Sequence, residues 1–394
     1  MSSSLRIVVL GYIVRGPLGG LVWHHLQYVT GLAALGHDVL FVEDSDDYPS
    51  CYDPSRHVVD SDPSFGLRFA EDAFGRAGAG DLWAYHDAPT DRWLGPAAGR
   101  ARAFCESADL VLNLSGVNPL RDWVAGAPAR ALVDTDPAFI QLRHLTDPAA
   151  RARALAHTAF FTFGENFGRP GCSIPDDGLP WMPTRQPVTL AAWAVTPGPE
   201  SGPFTTVMQW DSYAPREHEG RRFGMKSDSF ARFLDLPSRC RDTFELALGS
   251  ENAPRELLRA RGWRVGDPLV LAKDGPTYQE YIRSSKGELS VAKHGYVISR
   301  SGWFSERSAA YLASGRPVVV QDTGFTDWLE SGLGALPFST PEEAADAVAR
   351  ISGDYACHCR AAREIAAAYF DAATVLPALV ERALAPAPTM ERGR

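Results

Sequence analysis

The chain has 394 residues, 45% hydrophobic and 22% charged, enough for two folded units with substantial cores. Its 39 Lys plus Arg against 48 Asp plus Glu give a formal charge of -9. With no basic block, that balance argues against a nucleic-acid or anionic-membrane surface, so any phosphate site is local. The apolar opening is interrupted by Gly11 and Arg15 well short of the ~20 apolar residues a membrane span requires. Six scattered cysteines read as reduced thiols, and together these features predict a cytoplasmic protein without a membrane span.

Residues 5–11 (LRIVVLG) read as a strand, followed by a Gly/Pro loop to Gly20 and a helical repeat carried by Leu21, Val22, Val29 and Leu32. Gly36 ends that helix and HDVLFVED reads as a second strand, which makes a right-handed βαβ unit. Further strands are predicted at 108–114, 129–134 and 158–163. Residues 164–203, rich in Gly, Pro and Trp, read as an interdomain crossing. A second alternation follows: strand FTTVMQW, helix ENAPRELLRARG, strand PLVLA, helix TYQEYIRSS, strand GYVIS, helix SERSAAYLASG, strand RPVVVQD and helix PEEAADAVARIS. Residues 285–288 (SKGE) read as a polar loop, and the Ala-rich stretch 360–385 as a terminal helix.

Parallel sheets bind ligands beyond the carboxyl ends of their strands, so two such units facing each other place the site between them. The loop 16–20 offers free N–H groups at a helix start, where Gly19 and Gly20 allow a ligand close to the backbone. In 295–325, Ser305 is an N-cap and Arg307 and Ser308 lie in the first helical turn, with Asp322, Thr323 and Gly324 ending the next strand. These are the parts of a diphosphate cradle.

Taken in order, the Gly19-Gly20 loop, LAALGHDVLFVE (similar to L-x-x-x-G-H-x-V) and AYLASGRPVVVQDTG (similar to E-A-x-A-x-G-x-P-V-V) resemble the GT-B glycosyltransferases. The resemblance runs over nearly the whole chain and is nearest to a divergent, spore-coat-type or family-4-like branch. It implies an α/β fold of two Rossmann-like domains with parallel sheets facing a cleft, and a C-terminal helix crossing back. The boundaries it suggests are an acceptor domain at 1–185, a linker at 186–203, a nucleotide-sugar domain at 204–360 and a helix and tail at 361–394. Retaining members carry two glutamates eight positions apart, and the aligned positions here are Gly302 and Ala310, with Glu306 between them. The donor site implied is Gly19, Gly20, Arg222, Lys226, Ser301, Gly302, Ser305, Arg307, Ser308, Asp322, Thr323 and Gly324. Lys226 stands for the cation that meets the departing diphosphate.

For transfer to a hydroxyl, a base is needed near the acceptor. His24 and His25 on the first helix and Asp136 after a later strand are the candidates, with Asp136 and His25 favoured. Asp44, Asp46, Asp47 and Asp134 follow strands that face the acceptor and are expected to clamp its hydroxyls. The expected activity is glycosyl transfer from a nucleoside-diphosphate sugar co-substrate to a small molecule or glycan, with no permanently bound cofactor, no metal and no nucleic acid, and with a homodimer open to it. The rivals are an epimerase of the same fold, a silent nucleotide-sugar-binding module and an NAD oxidoreductase.

Overall fold

The computed structural model describes residues 4–385, so the extreme end of the expected tail, 386–394, lies outside the described residues. The first half contributes strands β1 (Arg6–Leu10) and β2 (Asp38–Asp44), then a small hairpin of β3 (Cys51–Asp53) and β4 (Val58–Asp60). β5 (Trp83–Asp87), β6 (Arg92–Leu94), β7 (Leu110–Leu114), β8 (Ala129–Asp134), β9 (Ala159–Thr162) and β10 (Trp181–Pro183) follow. They form an eight-stranded sheet in the order β10-β9-β8-β7-β1-β2-β5-β6, parallel except for β6. Buried on both faces, β1, β2 and β7 read as continuous apolar runs, as central parallel strands do.

The second half holds β11 (Phe204–Gln209), the hairpin β12 (Arg216–His218) and β13 (Arg221–Phe223), then β14 (Phe244–Gly249) and β15 (Arg264–Gly266). β16 (Gly287–Ser290), β17 (Val318–Gln321) and β18 (Ala335–Phe338) complete it. The six-stranded parallel sheet runs β15-β14-β11-β16-β17-β18. Its order reverses between β11 and β16, as the first sheet's does between β1 and β7, and each reversal opens a crevice at the strands' carboxyl ends. Residues 184–203 run between the sheets. The helix Tyr355–Tyr369 packs in the second half, whereas Ala372–Leu384 returns to the first, burying Leu376, Leu379 and Val380 in the cluster of Val22, Val29 and Leu32.

Three segments differ from the sequence reading. PLVLA is a short helix, Pro268–Leu271, because Asp267 caps Leu269 N–H at 2.8 Å and Pro268 is already set for a first helical turn. GYVIS is the helix His294–Ile298, whose short apolar run has no period that separates strand from helix. Gly287 and Glu288, expected in the polar loop 285–288, begin the buried strand β16, since Glu288 and the neighbouring Lys286 find distant partners: Arg307 at 2.5 Å and Asp242 at 2.5 Å. The expected crossing 164–203 also contains β10, paired in parallel with β9.

Candidate active site

The facing carboxyl ends enclose a cleft of about 1210 Å³. Of the residues expected to form the site, Gly20, His24, Asp136, Lys226, Ser305 and Arg307 line it, whereas the others are held elsewhere. Gly19 is pressed against the second half: a Cβ there would lie 2.3 Å from the Asp274 carbonyl oxygen, so only glycine lets the helix Gly19–Ala34 approach this closely.

His25 does not face the cleft. It is fully buried, its Nδ1–H donates to Leu21 O at 2.8 Å and its Nε2 accepts Tyr12 N–H at 3.2 Å. Burial, then neighbouring His24, holds its pKa well below the ordinary histidine value, so it is neutral and fully engaged in fixing the loop after β1. His24 is different. It lines the cleft with Nε2 buried and without a hydrogen-bond partner, and burial lowers its pKa against the opposing pull of Glu306.

Asp136 reaches the cleft but is clamped there. Its carboxylate accepts from Lys293 Nζ at 2.9 Å and from the hydroxyls of Tyr213 and Tyr296. The Lys293 ammonium lies 4.5 Å from the Tyr213 ring centroid, 5.1 Å from Phe139 and 5.3 Å from Tyr296, an aromatic cage that favours the cation. Burial and the Asp136 charge keep both phenols protonated and donating. Asp134 lies beneath, away from the cleft, accepting from Asp136 N–H, Gln141 and Thr162. Burial, opposed by those bonds, raises its pKa to about 6.

The other acids expected to meet an acceptor are turned into a charge network outside the cleft. Asp44 binds His86 at 2.7 Å and Arg121 at 3.0 Å, Asp47 pairs with Arg121 at 2.8 Å and Asp46 with Arg153 at 3.3 Å. Their partners come from 42 to 107 positions along the chain, which local sequence cannot reveal.

In the second half, Arg307 is largely committed: Nε to Glu288 at 2.5 Å, Nη1 to Val207 O at 2.8 Å and Nη2 to Ser290 at 2.7 Å. Ser305 caps Arg307 N–H, as expected, so the amide is already satisfied. Ser301, Gly302 and Gly324 face the first half instead of a ligand. Asn166 N–H donates to Ser301 O, its side-chain amide to Gly324 O at 2.8 Å, and it fills the space beside Gly302, whose φ of 74° is a left-handed conformation suited to glycine. Thr323 donates to Trp303 O at 2.5 Å, and Asp322 accepts Gly324 N–H at 2.8 Å. Ser308 is fully buried and Arg222 is exposed, paired with Asp228 at 3.3 Å.

What remains available is Lys226. It lines the cleft half-buried, with no hydrogen bond or ion pair among the described residues. Burial, together with the charges of Arg307 and Lys293, pulls its pKa well below that of an ordinary lysine; Glu288 and Glu306 oppose this. An unpaired cation in a low-dielectric cleft calls for an anionic ligand. Toward the ends of β11, β14 and β15 the wall is polar, with Gln209, Gly249 and Ser250 beside Leu248 and Val265, and with Glu251, Arg255, Arg259 and Asp267 around them. Sequence reasoning missed these residues, together with Lys293, Tyr213 and Tyr296. Their position after strands of the second sheet was the usable signal.

No protein-family model and no curated protein matches the sequence. Solved structures do match its fold. An alpha-glucosyltransferase in complex with UDP and a 13-mer DNA containing a HMU base is similar at TM-score 0.57 and 11% identity, over 97% of this chain and 100% of that one. Anabaena HepE in complex with UDP-glucose gives 0.55 and 12%, over 95% and 98%, and a glycosyltransferase from Rickettsia africae 0.52 and 10%, over 97% and 98%. The chain has the GT-B fold, two Rossmann-like domains facing a cleft, with a last helix that crosses back.

Proposed function

We propose that this protein transfers a sugar from a nucleoside-diphosphate sugar to an uncharged hydroxyl acceptor. The observation that carries the reading is Lys226, a half-buried cation without a partner in the cleft between two Rossmann-like sheets. It would face the diphosphate and stabilise the charge that develops on it as the glycosidic bond breaks. The polar wall of Gln209, Gly249 and Ser250, with the apolar Leu248 and Val265, suits a base and ribose. Similar folds solved with UDP or UDP-glucose support the same donor class.

The acceptor class follows from the opposite wall. Among the described residues the first half lines the cleft with Tyr12, Leu21, Tyr52 and Val59, the hydroxyls of Ser115 and Thr135, the imidazoles of His24 and His57 and the clamped Asp136, but with no lysine or arginine. Such a wall suits a neutral, partly apolar hydroxyl compound and offers no lysine or arginine to a phosphate backbone, although one similar fold was solved with DNA. We place the work in the cytoplasm, consistent with six unpaired cysteines and with the finding that no helix among the described residues is long and apolar enough to cross a membrane.

Thermal shifts with UDP, GDP, dTDP and NAD test the donor class. A nucleoside diphosphate at ~100 times its dissociation constant should add ~2.7 kcal/mol of stability. A response to NAD alone would replace this reading with an oxidoreductase.

A further inference from the structure

The cleft holds four carboxylates among its lining residues, and three are occupied or at its rim. Asp136 is clamped by three donors, Asp267 caps a helix and Glu251 is exposed. Glu306 is the exception: half-buried, facing the cleft, with no hydrogen bond or ion pair among the described residues. As the first residue of the helix Glu306–Ala313 it has a stabilising place beside the helix's positive end, which by itself makes no site. The second observation comes from the other half. His24, nine-tenths buried with Nε2 unpartnered, lines with Glu306 both the main cleft and a small adjoining cavity of about 10 Å³, room for one water molecule. A free carboxylate and an unpartnered imidazole, on helices from opposite halves, thus line one small cavity, with Lys226 on the same cleft.

We infer that Glu306 is the general base that activates the acceptor hydroxyl, with His24 positioning that hydroxyl or an intervening water. This rests on the glycosyltransferase reading. The acceptor O–H bond breaks and its proton passes to the Glu306 carboxylate, while the oxygen's electron pair forms the new bond to the anomeric carbon. The carbon–oxygen bond to the diphosphate breaks with its pair on the leaving group, opposite Lys226, and Glu306 then releases its proton to water. Attack opposite the leaving group inverts the anomeric centre. A carboxylate at the helix mouth also explains why Lys226, and not that helix start, is the place for the diphosphate.

The test compares Glu306→Gln with wild type, using UDP-glucose, GDP-mannose and dTDP-glucose as donors and two acceptors, benzyl alcohol and 4-nitrophenol. An alcohol needs a base, whereas the phenol is already partly ionised near neutral pH. The variant should lose ~10²–10⁴-fold in turnover on benzyl alcohol, the range for loss of a general base, and less than ~10-fold on 4-nitrophenol. Nucleotide affinity should change little, and the product should be inverted. Glu306→Asp, which keeps a carboxylate, should retain part of the alcohol activity and guards against misfolding of the Gln variant. His24→Gln should raise KM for benzyl alcohol more than it lowers kcat. Equal losses on both acceptors, or retention of configuration, would overturn the role of Glu306 while leaving the glycosyltransferase reading in place. A wild-type protein that binds a nucleotide but consumes none of these donors, or that binds no nucleotide, would overturn both.

Discussion

Asp136, on the loop after β8, meets Lys293 of the second half at 2.9 Å, so the two halves are tied by an ion pair at the mouth of the cleft. Their side chains are 24% and 13% exposed, which screens the pair only in part. Asp136→Asn should leave the caged ammonium short of its charge partner and lower stability by ~1.5–3 kcal/mol, the range for hydrogen bonds to charged groups. Lys293→Met should cost a similar amount, and the double variant less than the sum, because both remove one interaction. Denaturant unfolding of the four proteins measures this. Additive losses would show that the two residues do not act together.

His25 is expected to matter for folding and not for chemistry. His25→Ala removes the acceptor of Tyr12 N–H and leaves a cavity beside Phe41, for a loss of ~2–4 kcal/mol. Turnover per folded molecule should stay within a few-fold of wild type. A thousandfold loss in a stable, folded variant would restore His25 as a base.

The two second-half cations should separate cleanly. Lys226→Met should weaken nucleoside-diphosphate binding by ~1.5–3 kcal/mol and leave stability unchanged or slightly higher, because it removes a desolvated charge with no partner. Arg307→Ala strands the fully buried Glu288 and should destabilise the fold by ~3–5 kcal/mol. Calorimetric titration alongside thermal unfolding distinguishes the two effects. An Arg307 variant that is stable but fails to bind would reverse the assignment.

Acid should weaken the protein through its buried neutral histidines. His157 is the clearest: burial lowers its pKa to about 4, while its Nε2 accepts from Asn113 at 3.1 Å. Between the unfolded value of 6.5 and the folded value the unfolded chain binds the extra proton, so stability falls as pH falls through that window. Asp134, raised to about 6 by burial, acts in the opposite sense: its contribution is greatest at low pH and is lost as pH rises. His157→Gln should therefore flatten the loss between pH 7.5 and 5.5 by about 1 kcal/mol. An unchanged slope in chemical unfolding across that range would contradict this.

The architecture was legible because its carriers are local. An apolar strand, a glycine loop and a helix that stops at Ala34, just before Gly36, lie within a few dozen residues of one another, and Ser305 caps the helix predicted for it. What sequence cannot show is which cation has a competing partner. Lys226 and Arg307 looked equally cationic, but Glu288, nineteen positions before Arg307 on a strand read as a loop, takes the Arg307 guanidinium, whereas Lys226 has no partner among the described residues. Asp44, Asp46 and Asp47 look like an acidic clamp in sequence, but Arg121 and Arg153 draw them into a network that only the fold brings together. Glu306 shows the reverse. It matches no motif position, and only the geometry of the two facing sheets sets it beside His24.

Sugar transfer from a nucleoside-diphosphate sugar is tested most directly by nucleotide release from UDP-glucose, GDP-mannose and dTDP-glucose with and without benzyl alcohol, with the product followed by mass spectrometry. At least one donor should release its diphosphate faster with the alcohol present, yield the benzyl glycoside in equal amount, and lose that activity in Lys226→Met. Nucleotide binding without glycoside formation from any of the three donors would contradict the claim and leave a binding module in its place.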